Sequence, residues 1–271
     1  LCEHGLYRHA GGRLQMTGVK LFMDGALGSR GAALLADYSD DPGNRGLLVT
    51  DPAAFGAAVI RARDCGVQVA THAIGDRGNR IVLDTYEYAL KGRGARPDHR
   101  WRVEHAQVLA SEDIPRFAQL RLVASMQPTH ATSDMPWAEE RLGAERLEGA
   151  YAWREFLDLG VPLALGSDFP VESVDPRLGL FAAVNRTDRQ GHPPGGWLPE
   201  QKLTAGQALR GFTFGAAYAA HDEAEVGRLA PGLRADFVVL DRDPLAVPPA
   251  ELDSLKVQAT WVDGEPVYSA D

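Results

Sequence analysis

Four residues near the carboxyl ends of short apolar runs carry side chains that could hold a metal ion. They are Lys20 in TGVKLFM, His72 in VQVATH, His105 in WRVEHA and Asp168 in VPLALGSD. Neutral imidazole and carboxylate are good ligands for zinc and its neighbours, and a catalytic ion keeps one position open for water. Such water ionises near neutral pH, and an aspartate beside it can take and return the proton. A lysine ammonium repels cations. It fits once carboxylated by CO₂, as an anionic bridge between two ions.

Taken singly, each residue also has a plain structural role. A strand-end histidine can be satisfied in a core, an aspartate in GSD can cap a turn, and a strand lysine can snorkel to the surface. Their spacing adds weight to the chemical reading. His72 and His105 are 33 residues apart, close to one βαβ repeat of roughly 30. His105 and Asp168 are 63 apart, about two repeats, and Lys20 to His72 spans 52, one repeat plus a long loop. In parallel α/β proteins, active-site groups gather at the carboxyl ends of strands.

Asp24 and Arg30 in DGALGSR and His130 in QPTHAT are candidate substrate contacts; local loop hydrogen bonds or solvation would serve equally for each. Asp76 and Arg77, after His72, could support it or cap the next helix. Glu104 is expected to face away from its neighbour His105. Trp137 and the charges around it read as a solvated flap.

The elements that must position these groups alternate. Apolar strands at 17–23, 67–72, 101–106, 122–127 and 161–168 are separated by helical patterns at 51–66, 79–92, 111–120 and 152–160. Asp51 and Pro52 mark an N-cap and first helical position, and Gly66 an end; Ser111 marks another N-cap. Residues 24–50 read as loop, 131–149 as a charged irregular insert, 169–200 as a Pro/Gly-rich loop, and 204–220 as one or two helices. After that the pattern turns to strands without helices, over 227–244 and 257–268, with Asp263-Gly264 as a hairpin signal. About five βα units are present, against eight in a closed barrel.

Of 271 residues, 45% are hydrophobic and 24% charged, enough for a substantial core. Net charge is −9, with no basic run to mark a nucleic-acid face. No apolar run approaches the roughly 20 residues of a membrane span. Cys2 and Cys65 are the only cysteines, so no disulfide framework is expected, and Cys65 reads as core. A soluble cytoplasmic protein acting on a small molecule is the default, without nucleic-acid or membrane partners; a homo-oligomer is left open. No dinucleotide fingerprint occurs among Gly25, Gly28 and Gly31.

Together, VKLFMDGALGSRGA, THAIGDRGN, RVEHAQ, ALGSDFPVE and GRLAPGLRADFVVLD resemble the amidohydrolase superfamily, and within it the YtcJ-like branch that includes N-substituted formamide deformylases. The similarity covers about residues 15–268. It implies a metal-dependent hydrolase with a (β/α)₈ TIM barrel and a small β-sandwich. Residues 1–222 would belong to the barrel and 223–271 to the sandwich. It also implies hydrolysis of an amide-type, non-peptide C–N bond by metal-activated hydroxide, with one or two divalent ions, zinc first among them. Carried over by position, Lys20 would be the carboxylated bridging ligand, His72 and His105 the next two ligands, and Asp168 both ligand and general acid/base. The family's first-strand His-x-His pair is absent: the histidines stand at 4, 9, 72, 99, 105, 130, 192 and 221. The chain therefore reads as the C-terminal portion of a longer enzyme. A catalytically inactive relative with a binding role, and a barrel hydrolase acting on esters or lactones, are the rival readings.

Overall fold

The computed structural model describes residues 1–12, 14–92 and 94–270. A short hairpin, β1 (Tyr7–Arg8) with β2 (Gln15–Met16), leads into β3 (Gly18–Phe22). After a long loop come α1 (Pro52–Asp64), β4 (Gln68–Ala73), α2 (Asp76–Lys91), β5 (Arg102–His105), α3 (Ile114–Gln119) and β6 (Val123–Met126). Then follow α4 (Pro128–Asp134), α5 (Ala138–Leu142), α6 (Trp153–Asp158), β7 (Leu163–Leu165), α7 (Pro176–Asn185), α8 (Ala205–Arg210) and α9 (Ala216–Ala219). The chain closes with β8 (Phe237–Leu240), β9 (Val257–Val262) and β10 (Glu265–Ser269). Hydrogen-bonded neighbours in the main sheet follow chain order, β3-β4-β5-β6-β7, and a second sheet has the order β10-β9-β8. This is the α/β class with helices between sheet strands, plus a small antiparallel sheet. No helix among the described residues is long and apolar enough to cross a membrane.

The chain divides into two compact units, residues 1–124 with 137–161, and residues 125–136 with 162–271. In the first, β3 pairs with β4 and β4 with β5, both in parallel. One face of these strands buries Val69, Thr71 and Val103, and the helices bury Phe55 and Val59 of α1 and Val82, Leu83 and Tyr86 of α2. Each such apolar side chain contributes roughly 1.5–3 kcal/mol on burial. The Thr71 and Tyr86 hydroxyls meet at 2.6 Å, which satisfies both polar groups inside that layer. In the second unit, Phe181 of α7 packs with Leu252 and Leu255, surrounded by Val184, Leu240 and Val247.

Local chemistry explains several boundaries. Asp51 accepts from the Ala53 and Ala54 amides, Pro52 opens α1, and Gly66 takes a φ of 67° just past its end, as the sequence indicates. Asp263 and Gly264 adopt φ of 57° and 78°, the two positive values a type I′ hairpin turn needs between β9 and β10.

Other expectations are corrected. Ser111 does not cap a helix; residues 111–113 form a 3₁₀ turn before α3. The 169–200 stretch contains α7, with Asp175 as N-cap and Pro176 at its start. The 131–149 insert is largely helical, and it is not a solvated flap. Arg146 donates to the Ala36 carbonyl (3.3 Å) and the Asp37 carbonyl (2.8 Å), Arg141 pairs with Asp40, and Trp137 borders Gly28. Cys65 is exposed rather than in the core, and it is bonded to Cys2 across 63 residues of sequence.

Candidate metal centre

In the first unit, His72 is the penultimate residue of β4 and His105 the last of β5. Parallel register places His72 beside Glu104 and Ala73 beside His105. Regular alternation would therefore send the two imidazoles to opposite faces. They meet nonetheless, edge to face, with ring centroids 4.6 Å apart. The cause is the backbone: His105 has a φ of 76° and Ala106 a φ of 43°. Two successive non-glycine residues in the left-handed region cost of order 1–3 kcal/mol each, and such strain clusters at functional sites. Glu104 turns its carboxylate to the Arg102 guanidinium, whose Nη1 also donates to Gln68 Oε1 at 3.4 Å.

Asp24 lies just past β3 and is 1% exposed. Its Oδ2 accepts from the amides of Ala33 (2.9 Å) and Gly75 (2.8 Å), and its Oδ1 from that of Ile74 (3.0 Å). Oδ1 also lies 3.7 Å from His72 Nε2. Burial pushes the Asp24 carboxyl up to about 6, against the downward pull of those amides. Asp76 is raised by burial too, and it accepts from the Leu35 and Arg77 amides, both at 2.8 Å. It supports the long loop and the first turn of α2, while Arg77 is exposed.

Lys20 is in mid-strand rather than at a strand end. It is level with Ala70, while Phe22 is level with His72. The Lys20 ammonium sits 4.7 Å from the centre of the Phe22 ring, and that ring lies 5.5 Å from His72. Arg30 grips Asp40 with two hydrogen bonds, of 3.1 and 2.8 Å, so its charge is already matched.

In the second unit, Asp168 lies three residues past β7, in an exposed turn with a φ of 58°. His130 is in the first turn of α4, directly after β6, and its Nε2 stands 3.8 Å from Asp168 Oδ2. Burial pushes His130 below the ordinary histidine range, with Asp168 and Glu172 acting in the opposite direction.

Each unit thus carries imidazole and carboxylate at the carboxyl ends of its strands, the position where α/β proteins of the barrel type build their sites. The chain belongs to the amidohydrolase family, whose model matches residues 3–268. It is 38% identical over 263 residues to YtcJ of Bacillus subtilis (strain 168), an amidohydrolase by name, covering 97% of this chain and 49% of that protein. It is 33% identical over 210 residues to the N-substituted formamide deformylase of Arthrobacter pascens, covering 76% of this chain and 37% of that one. Among solved structures, an uncharacterized metal-dependent hydrolase from Pyrococcus horikoshii OT3 superposes with a TM-score of 0.80 at 36% identity, covering 91% of this chain and 49% of the other. The chain spans about half the length of two curated relatives that it matches along nearly its whole length.

Proposed function

We propose that this chain supplies part of the site of a metal-dependent hydrolase that cleaves an amide-type C–N bond in a small molecule. The observation that carries the reading is the His72–His105 pair, brought edge to face at two strand ends by a strained backbone. Family membership and the names of the similar proteins support it.

The donor set fits a divalent ion of the zinc group: two imidazoles from neighbouring strands, with an aspartate as the further ligand carried over from the family. His72 and His105 of the first unit would hold it, and Asp168 is the ligand that the family resemblance adds. Lys20 fits as an amine only in its present place over the Phe22 ring; as a ligand it needs the carboxylated form. A bound ion of this kind supplies Lewis acidity and water that ionises near neutral pH.

The chain's own part is proton handling. Asp168 takes a proton from the attacking water as the water oxygen bonds to the substrate carbonyl carbon. The C–N bond then breaks as that proton passes to the leaving nitrogen, which leaves Asp168 ionised and yields an acid and an amine. His130, held next to Asp168, contacts the substrate and limits the directions that carboxylate can take.

Elemental analysis of the purified protein tests the reading. One or two transition-metal equivalents are expected, lost in His72→Ala or His105→Ala; unchanged metal content in both variants would sink it. Activity on a panel of N-substituted formamides, esters and lactones should favour the amides, and Asp168→Asn should lower kcat about 10²–10⁴-fold. Metal uptake that rises with added bicarbonate in the wild type, but not in Lys20→Ala, is the outcome expected of a carboxylated lysine.

A further inference from the structure

We propose that Asp24 is a positioning residue for His72: it holds the imidazole with Nε2 turned inward, so that Nδ1 is the atom presented as a metal ligand. This rests on the reading of His72 as a ligand.

Three observations carry the assignment. Asp24 Oδ1 lies 3.7 Å from His72 Nε2, longer than a hydrogen bond but close enough for the buried carboxylate to favour an N–H on that nitrogen of the neutral ring. The carboxylate cannot swing away, because the Ala33, Gly75 and Ile74 amides hold both of its oxygens. Its surroundings also admit nothing larger: a Cβ built on Gly78 would stand 2.5 Å from Asp24 Oδ2. The same carboxylate thus ties the end of β3, the long loop and the β4–α2 turn into one anchor beneath His72. Partners of this kind set the tautomer and ring orientation of metal-binding histidines, and losing one typically costs 10–100-fold in metal affinity. At 1% exposure Asp24 is too deep to meet a substrate directly, which gives this buried acid a role different from a pocket lining.

The test measures Co²⁺ affinity by chelator competition in wild type, Asp24→Asn, His72→Ala and the double variant. Asp24→Asn should bind Co²⁺ 10–100-fold more weakly, and should add less than about twofold once His72 is already alanine. An unchanged affinity in Asp24→Asn, or an equal loss in both backgrounds, would overturn the assignment. If His72→Ala itself binds Co²⁺ like wild type, it is the ligand reading that fails, an outcome distinct from the other two. A second measurement covers the case of an Asp24→Asn protein that does not fold. In metal-free, ¹⁵N-histidine-labelled wild type, the His72 imidazole, assigned by its absence from His72→Ala, should carry its proton on Nε2. A proton on Nδ1 would overturn the proposal.

Discussion

Gly78 has no room for a side chain, and neither does Gly75, where a Cβ would stand 2.1 Å from the Ala33 carbonyl oxygen. Both crowd the Asp24 anchor, in which only backbone can pass between the long loop and α2. Gly78→Ala should therefore lower stability by about 1–3 kcal/mol through overpacking, read as a lower urea midpoint at unchanged slope; a midpoint equal to wild type would show that the anchor is loose. At this scale the sequence was half readable. His72 and His105 stand out as polar residues ending apolar runs. The approach of Asp24 to His72 joins residues 48 positions apart, and no local pattern encodes it. Nor does alternation predict that His105 turns toward His72, because that depends on a positive φ which histidine adopts only when its surroundings impose it.

Strands and helices of the βα units follow from short apolar runs and caps, which is why α1, β4 and β5 fall close to where the sequence puts them. The element that composition hides is α7, a helix of ten residues inside a stretch rich in proline and glycine. Its signal is Asp175-Pro176, the same cap-and-proline pair that opens α1 at Asp51-Pro52. Asp175 accepts from the Arg177 amide at 3.0 Å and clasps the Arg177 guanidinium, which also donates to the Leu255 carbonyl. One cap thus ties α7 to the segment before β9. The Arg177 side chain holds the Asp175 carboxyl below the ordinary carboxylate range, with the Arg177 amide adding to it. A depressed folded value stabilises above the unfolded value near 4 and fades as pH falls through the folded one. Asp175→Ala should accordingly cost about 0.5–2 kcal/mol at pH 7, and the difference from wild type should shrink below about pH 4. Urea titrations at pH 7 and pH 3 check both halves; a gap that persists undiminished at pH 3 would mean that the carboxylate charge is not what the cap contributes.

Across the whole molecule, the two cysteines were the least legible feature, because their separation of 63 residues gives no hint that they meet. Their Cα atoms lie 5.2 Å apart, within ordinary disulfide reach. A bridge over a loop of that length removes enough unfolded-state entropy to stabilise by about 4 kcal/mol as an upper figure. The realised value should be smaller. The bridge fastens the segment that leads into the β1–β2 hairpin to the end of α1, and that hairpin has strands of two residues and leaves Leu6 and Tyr7 nearly half exposed. Such a segment frays at low cost once released, whereas the buried layer of β4, α1 and α2 does not depend on it. Reduction or Cys65→Ser should therefore lower Tm by only a few degrees, while making residues 1–16 cleavable by protease well before the rest of the chain. Both sulfurs belong to exposed residues, so reductant can reach them without unfolding, and alkylation followed by mass spectrometry should label both cysteines only after reductant is added. Labelling of native, unreduced protein would show the thiols free, and a loss of the full 4 kcal/mol would show that the hairpin is integral to the core.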